Sequence, residues 1–380
     1  MRPLVISGGE VLTATGFANG TVHLAGGHVV DHPDADAARF DARGLQVLPG
    51  IVDIHGDAFE RQLQPRPGIG FPVQLALQDT ERQLLANGIT TAFHGITLSW
   101  EPGLRSVETW RAVLDGLDAG NWTCDMRVHL RWEEYNLDAL DTALADIAAG
   151  RVHLLAFNDH TPAILRRMSD PLKATKYSDR AGMPLDEFRA LAARVGAREG
   201  DVAAGRDRIA AAARAAGLPM ASHDDDTAAT RDAYRARGAR ICEFPMAEAV
   251  AAAARKAGDA VVMGSPNVVR GGSHLGWASA ANLAETGLCT VLSSDYFYPC
   301  LLEAPYILAR RGILDLPGAW ALITTNPAAA AALPDRGTIA PGQRADLVVV
   351  DATGPTPRLV ATIAAGRIAW LAADGADRLR

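Results

Sequence analysis

The chain has 380 residues, 48% of them hydrophobic and 21% charged, with 37 Lys+Arg against 44 Asp+Glu and a formal net charge of −7. That composition excludes intrinsic disorder, and a net acidic chain carries no global field that would draw it onto nucleic acid or an anionic membrane. The length fits two or three domains, or one large α/β barrel with an appendage.

The opening MRPLVISGGEVL lacks the charged start and long apolar core of a secretory signal, and no apolar run approaches the roughly 18–20 residues of a membrane span. Cys124, Cys242, Cys289 and Cys300 lie far apart and form no CxxC, which argues against a disulfide framework or a cysteine zinc site. The expected compartment is therefore a reducing cytoplasm.

Up to about Leu48 the chain reads as short strands broken by Gly-rich turns: LVISGGEVLT, GTVHLAGGHVVD, RFDARGLQVLPG. From residue 51 the rhythm changes. Eight apolar runs (IVDIH, TTAFHG, MRVHLRW, VHLLAFND, PMASHD, ARICEFP, VVMGSPN, TVLSSD) alternate with helical segments such as VQLALQDTERQLLANG and RDRIAAAARAAG. Strand and helix in alternation imply parallel βαβ units, and a closed (β/α)₈ TIM-type barrel over 51–334 is the economical arrangement. Helical regularity weakens between His160 and Leu185, which predicts a long loop after the fourth strand. The C-terminal segments DRGTIAPGQRADLVVVDATG and LVATIAAGRIAWLAA return to the strand character of the start.

Catalytic groups of such barrels project from the C-terminal ends of the strands. Of the ten histidines, His23, His28 and His32 fall outside the barrel and His153 opens a strand. His55, His94, His129, His160, His223 and His274 fall at or after expected strand ends. One such histidine is usually structural; six on one face point to a site. The carboxylates of that face complete the pattern: Asp57 two residues after His55, Glu133 after the third strand, Asp224 beside His223, Glu243 after the sixth strand and Asp295 after the eighth. Imidazoles and carboxylates without thiolates suit zinc, with manganese or iron as alternatives. Asp225 and Asp226 read better as helix caps or members of a buried polar network.

At these residues a family resemblance emerges. ARGLQVLPGIVDIHGD resembles the entry motif of the metal-dependent amidohydrolase superfamily, and GTIAPGQRADLVVVD resembles its returning β-domain. The resemblance implies that residues 1–50 and 335–380 form one discontinuous β-sandwich domain beside the barrel. The usual first-strand HxH is HxD here. With HGDAFERQLQPRPG, GITTAFHG, RVHLRWE, NDHTP, ASHDDDT, EFPMAEA, MGSPNVVRGGSH and LSSDYFYP, it is similar to the branch that releases pyrophosphate from a ribose phosphonate 5-triphosphate in phosphonate metabolism. Departures from that branch fall at Ala58 and Phe59, at Ala163 to Arg166, and at Trp277 and Ala278. They bear on the substrate rather than on the metal chemistry.

Many superfamily members bridge two metals with a carboxylated lysine on the fourth strand. None of the three lysines here, Lys173, Lys176 and Lys256, ends an expected strand. The resemblance therefore implies a carboxylate bridge, Glu133 first and Glu243 in reserve. His55, Asp57 and Asp295 would surround one ion, with His160 and His223 on the other; Asp224 is a reserve ligand. A single-ion site built from His55, Asp57, His223 and Asp295 stays open. A metal lowers the pKa of its water towards about 7, and Asp295 would act as general base.

Arg270, Gly271, Gly272, Ser273 and His274, after the seventh strand, read as a phosphate-binding loop. Arg66 offers a second cation, and Lys173, Lys176 and Arg180 a lid over the polyphosphate. The expected partner is a small phosphorylated substrate, with a functional link to carbon–phosphorus lyase proteins. A homo-oligomeric state is left open. A C–N amidohydrolase and a metal-free scaffold are the competing readings.

Overall fold

The structure is a computed structural model that describes residues 2–32, 36–66, 68–272 and 278–380. The chain begins in a mixed sheet with strands Leu4–Thr13, Gly16–Ala25, His28–Val30, Ala38–Asp41 and Gln46–Pro49, and ends in it with Leu347–Asp351, Arg358–Ala364 and Arg367–Leu371. The two ends meet where Gln46–Pro49 pairs antiparallel with Leu347–Asp351, Val47 opposite Val349. Leu4 and Ile6 of the first strand share a core with Val22, Phe40, Val349 and Ile363. Val11 joins the same core although its number has the opposite parity. A bulge between Ser7 and Gly9, with Gly8 at φ 80°, inserts the residue that resets the alternation.

Eight parallel strands follow in sequential order: Ile51–Gly56, Ile89–Leu98, Asp125–Glu133, Leu154–Asn158, Met220–His223, Ile241–Glu243, Ala260–Gly264 and Val291–Ser293. A parallel bridge between Gly56 and Asp295 closes the barrel, with Asp57 N–H donating to Asp295 O at 2.9 Å and Asp295 N–H to His55 O at 3.0 Å. Asp53 fastens the same seam, because its buried carboxylate accepts from the backbone N–H and hydroxyl of Ser294. Val52, Ile54, Phe93, Leu154, Ala156, Ala221, Ile241, Val262 and Val291 pack as one cluster. They come from seven of the eight strands, and strands on opposite walls can meet only inside the barrel.

The outer helices form for ordinary amphipathic reasons. Val73–Ala86 buries Ala76, Leu77, Thr80, Leu84 and Leu85 along one stripe, then gives way to Gly88 at φ 79°, from which the second strand starts. The long loop expected between His160 and Leu185 is instead helical. Thr161–Arg167, Pro171–Ala181 and Leu185–Gly196 are three helices ahead of Glu199–Ala215. Asp170 caps the second of them by accepting from the N–H groups of Leu172 and Lys173, and Gly182 ends it in a left-handed turn. Pro162, Pro171 and Pro184 stand at the starts of these helices and make the segment read as broken, and the helices' apolar residues Ile164, Ala181 and Phe188 face one another in a small cluster of their own. No helix among the described residues is long and apolar enough to cross a membrane.

Candidate metal centre and active-site cavity

At the C-terminal mouth of the barrel a cavity of about 200 Å³ is lined by His55, Asp57, Arg131, His223, Asp224 and Asp295 on its polar side, and by Phe244, Pro245, Met263, Pro266 and Ala278 on its apolar side. Arg270, Asn267, Gly272 and Tyr296 complete the wall. Three of the lining residues stand one or two positions after barrel strands and hold left-handed backbone without being glycine: Asp224 at φ 59°, Phe244 at 51° and Asp295 at 55°. Such strain costs of order 1–3 kcal/mol per residue and persists only where the surroundings enforce it. Here the backbone bonds Asp224 N–H to Glu243 O and Phe244 N–H to Val262 O, both 2.9 Å, enforce it from the neighbouring strands.

Glu243, fully buried at the end of the sixth strand, gathers the imidazoles. Its Oε1 lies 3.0 Å from His55 Nδ1 and 3.7 Å from His129 Nε2, and its Oε2 lies 3.2 Å from His223 Nδ1. The rings of His55 and His223 stack at 15° with centroids 5.3 Å apart, and the edge of Phe244 packs on both. His129 is oriented from its other side by a 3.1 Å contact between Nδ1 and Ile54 O. Burial first, and then the positive charge of Arg131, holds the His55 imidazole down to about 3 and that of His223 well below its usual range, so both rings are neutral and able to ligate. Burial also pushes the Glu243 carboxyl up to about 7. For Asp295, burial and then the charge of Asp57 raise the carboxyl to about 7.

The residues fit a divalent ion. Among the described residues two groups of ligand-type side chains bring their atoms within 4.8 Å of one another: His55, His223 and Glu243, and His160, His223 and Asp224. His55 Nδ1, His129 Nε2 and Glu243 Oε1 are buried, crowd together and have no aligned hydrogen-bond partner. Nitrogen and carboxylate oxygen are the donor set of zinc, manganese and iron sites.

The expected residues do not all meet in the expected way. Glu243 and Asp224, held in reserve on sequence, sit inside the ligand groups. Glu133, the first choice of bridge, belongs to neither group. Its Oε1 accepts from Thr161 N–H at 3.0 Å and Thr161 Oγ at 2.7 Å, and its Oε2 faces His160 N at 3.3 Å and Nδ1 at 3.4 Å. It fastens the turn that presents His160.

Asp57 and Asp295 line the cavity with His55. His94 and His129 lie within the strands Ile89–Leu98 and Asp125–Glu133 rather than at their ends: the second strand runs three residues past the expected TTAFHG, and His129 stands at the middle of the expected run MRVHLRW. His94 is buried against Phe59 and plays no part in the cavity lining.

Arg270 is the last residue of the short helix Ser265–Arg270, not part of a loop. Gly271, at φ 82°, caps that helix, Gly272 lines the cavity, and Arg270 donates to Tyr296 Oη at 3.2 Å. Ser273, His274 and Trp277 lie outside the described residues. Arg66 sits in an exposed turn, and Lys173 and Lys176 lie on the exposed side of Pro171–Ala181, with Lys173 paired to Asp170; none of the three lines the cavity. Arg180 is turned to the buried Glu101. Asp225, as expected, belongs to a buried polar network with Ser222 and Arg231.

Arg131 is the functional residue that sequence reasoning passed over. It is 6% exposed, with Nη1 3.4 Å from Asp57 Oδ2 and Nη2 3.2 Å from His223 Nε2. The signal was present: in HLRWE the alternation of a strand puts His129, Arg131 and Glu133 on one face.

A family model described as the Amidohydrolase family matches residues 134–369. The α-D-ribose 1-methylphosphonate 5-triphosphate diphosphatase of Escherichia coli is 31% identical over 364 residues, covering 91% of this chain and 94% of that protein. Among solved structures, dihydropyrimidinase from Brevibacillus agri superposes with a TM-score of 0.59 at 15% identity, over 97% of this chain and 95% of that one. Molinate hydrolase does so with a TM-score of 0.63 at 13% identity, over 97% and 94%. These structural likenesses concern the fold.

Proposed function

This chain belongs to the amidohydrolase family of hydrolases, and from that premise we propose that it is metal-dependent and cleaves α-D-ribose 1-methylphosphonate 5-triphosphate to the 5-phosphate and pyrophosphate in phosphonate catabolism. The observation that carries the substrate is the match to a diphosphatase of that activity over 94% of the relative's length. The cavity supports it: His55, Asp57, His223, Asp295 and Arg270 all line it, pairing metal-binding groups with a cation suited to phosphate oxygens.

His55, Asp57 and Asp295 are the residues proposed to hold a divalent ion, with His160, His223, Asp224 and Glu243 around them. Zinc is the first choice, with manganese or iron able to replace it. When bound, the ion supplies Lewis-acid charge to a phosphoryl oxygen. The remaining work falls to the chain. Asp295, its carboxyl pushed up to about 7 by burial and by Asp57, orients the attacking water and takes its proton. Arg270, steadied by Tyr296, binds non-bridging oxygens of the polyphosphate and neutralises charge as pyrophosphate leaves. Phe244, Pro245 and Met263 shield one side of the cavity from water.

The test is incubation of the purified protein with the ribose phosphonate triphosphate while pyrophosphate release is followed, beside a panel of N-acyl and cyclic amide compounds. Pyrophosphate release is expected, with Arg270→Ala lowering kcat/KM about a hundred-fold. Turnover of an amide with none of the triphosphate would replace this reading with a C–N hydrolase.

A further inference from the structure

Arg131 is a buried cation that lines the cavity without a close counter-anion. Its Nη1 lies 3.4 Å from Asp57 Oδ2, its Nη2 lies 3.2 Å from His223 Nε2, and its Nε is buried with no hydrogen-bond partner. Guanidinium and carboxylate in a charge-assisted pair close to about 2.7–2.9 Å, and none of these contacts does. The other arginines buried among the described residues are held differently. Arg231 pairs with both Asp225 and Asp259, and Arg336 with Asp125 at 2.6 Å and Asp335 at 2.9 Å. Arg127, four residues earlier on the same strand, has Asp125 at 3.0 Å.

A guanidinium keeps its charge throughout the pH range of a folded protein, and a buried charge is costly unless an opposite one pairs with it. The seat of Arg131 is nevertheless built. A Cβ on Gly95, on the neighbouring strand, would lie 3.1 Å from Arg131 Cδ, so the stem runs through space that a glycine leaves open. A cation seated in this way and left short of a close anion is matched to an anionic ligand in the cavity.

We propose that Arg131 binds a non-bridging oxygen of the phosphoryl group under attack, while Arg270 takes the pyrophosphate end. The assignment rests on the diphosphatase reading above and names the residue that holds the reacting phosphorus. Position separates the two arginines: Arg131 is buried and touches His223, a member of both ligand groups, whereas Arg270 is exposed and touches Tyr296. In the step itself the oxygen of water bonds to the α-phosphorus and its proton passes to Asp295. The bond from that phosphorus to the bridging oxygen breaks, and its electron pair leaves with pyrophosphate. Arg131 exchanges no proton; it meets the charge spread over the non-bridging oxygens in the transition state.

The experiment compares wild type, Arg131→Met and Gly95→Ala on the ribose phosphonate triphosphate and on its two α-phosphorothioate diastereomers, in which sulfur replaces one non-bridging oxygen. Elemental analysis gives the metal content of each protein. Arg131→Met is expected to lower kcat about a hundred-fold, with KM within about five-fold of wild type and metal content unchanged. It is also expected to change the ratio of rates between the two diastereomers, which a merely structural role would leave alone. Gly95→Ala keeps the charge but shifts the stem that carries it. It is expected to lose about ten-fold in kcat with the same change of ratio, and decides the matter should Arg131→Met fail to fold.

A wild-type diastereomer ratio in the variants, or a loss of activity that follows a loss of metal, overturns the assignment and leaves the diphosphatase reading intact. Absence of triphosphate turnover in the wild type overturns both.

Discussion

Asp295 is held in place from several directions. Its backbone is left-handed, its amide and carbonyl close the barrel, and its carboxylate lies against a glycine: a Cβ added at Gly264 would come within 2.8 Å of Asp295 Oδ2. Gly264→Ala should therefore push the carboxylate aside without disturbing the strand, whose backbone at that point suits any residue (φ −72°). Displacement of a reacting group by a fraction of an ångström to 1 Å costs up to about a hundred-fold. The expected outcome is a ten- to hundred-fold loss of kcat, about that range by the same reasoning, with a melting temperature close to wild type. Equal losses of activity and stability would show that Gly264 serves packing instead. His55, Asp57, His223 and Asp295 were legible in the sequence because they stand at strand ends with chemistry-bearing side chains. Phe244 was not, since nothing in an apolar residue announces that its ring will pack against two imidazoles.

Between the fourth and fifth strands the barrel carries three short helices, and a buried carboxylate helps to attach them. Arg180 reaches the carboxylate of Glu101, which is 4% exposed in the turn after the second strand, and Trp100 donates to Thr161 Oγ at 2.8 Å beside it. Removing Arg180 leaves the buried Glu101 carboxylate with the charge of Arg105 as its remaining countercharge, a loss of about 1–2 kcal/mol for a hydrogen bond to a charged group. Arg180→Met should raise hydrogen exchange across residues 161–196 and leave the barrel strands protected, as mass spectrometry would show. Uniform loosening of the whole chain would mean that the helices are not a separable cooperative unit. The strands and the long amphipathic helices of the barrel were readable because their periods of 2 and 3.6 repeat enough times. The insertion was not, because Pro162, Pro171 and Pro184 break the segment at short intervals and read as loop punctuation, whereas each in fact starts a helix.

At the scale of the molecule, the C-terminal segment ties the starts of the strands together. Arg336 donates to Asp125 Oδ2 at 2.6 Å and to Thr91 Oγ at 2.8 Å, joining the third and second strands from beyond the barrel. The terminal sheet is fastened to the barrel by Trp320 Nε1–H to Pro49 O at 3.1 Å and by Thr362 Oγ–H to Leu85 O at 2.7 Å. Burial works to raise the Asp125 carboxyl, but Arg127 and Arg336 outweigh it and hold the group below its usual value. A carboxyl depressed by folding stabilises above its unfolded pKa and loses that contribution as pH falls through the folded one. Arg336→Met should cost about 3 kcal/mol at neutral pH, with the gap to wild type narrowing below about pH 4 in urea titrations. A gap independent of pH would assign the loss to packing. Chelation offers a second global test. Removing a divalent ion from a site with buried unpartnered His55, His129 and Glu243 atoms should stop hydrolysis and lower the melting temperature by a few degrees, restored on adding zinc or manganese. An unchanged melting curve and full activity would rule out a bound ion.

By itself the sequence determined that eight strands alternate with helices, that strand-like ends flank them, and that histidines and carboxylates gather where strands stop. Those features follow from local periodicity and from the one-sided geometry of a βα barrel. Only the tertiary structure decided which of those groups meet. Glu133 turns to Thr161 and His160, Glu243 collects three imidazoles, and Arg131 stands between Asp57 and His223. The reason is that a strand fixes which face a side chain takes, whereas its partners come from strands and turns 20 (His223 to Glu243) to 188 (His55 to Glu243) residues away, set by barrel register and by where space such as that at Gly95 is left open. The net charge of −7 is a property of the whole chain. Whether a polyanion can bind is settled by a few cations in one cavity.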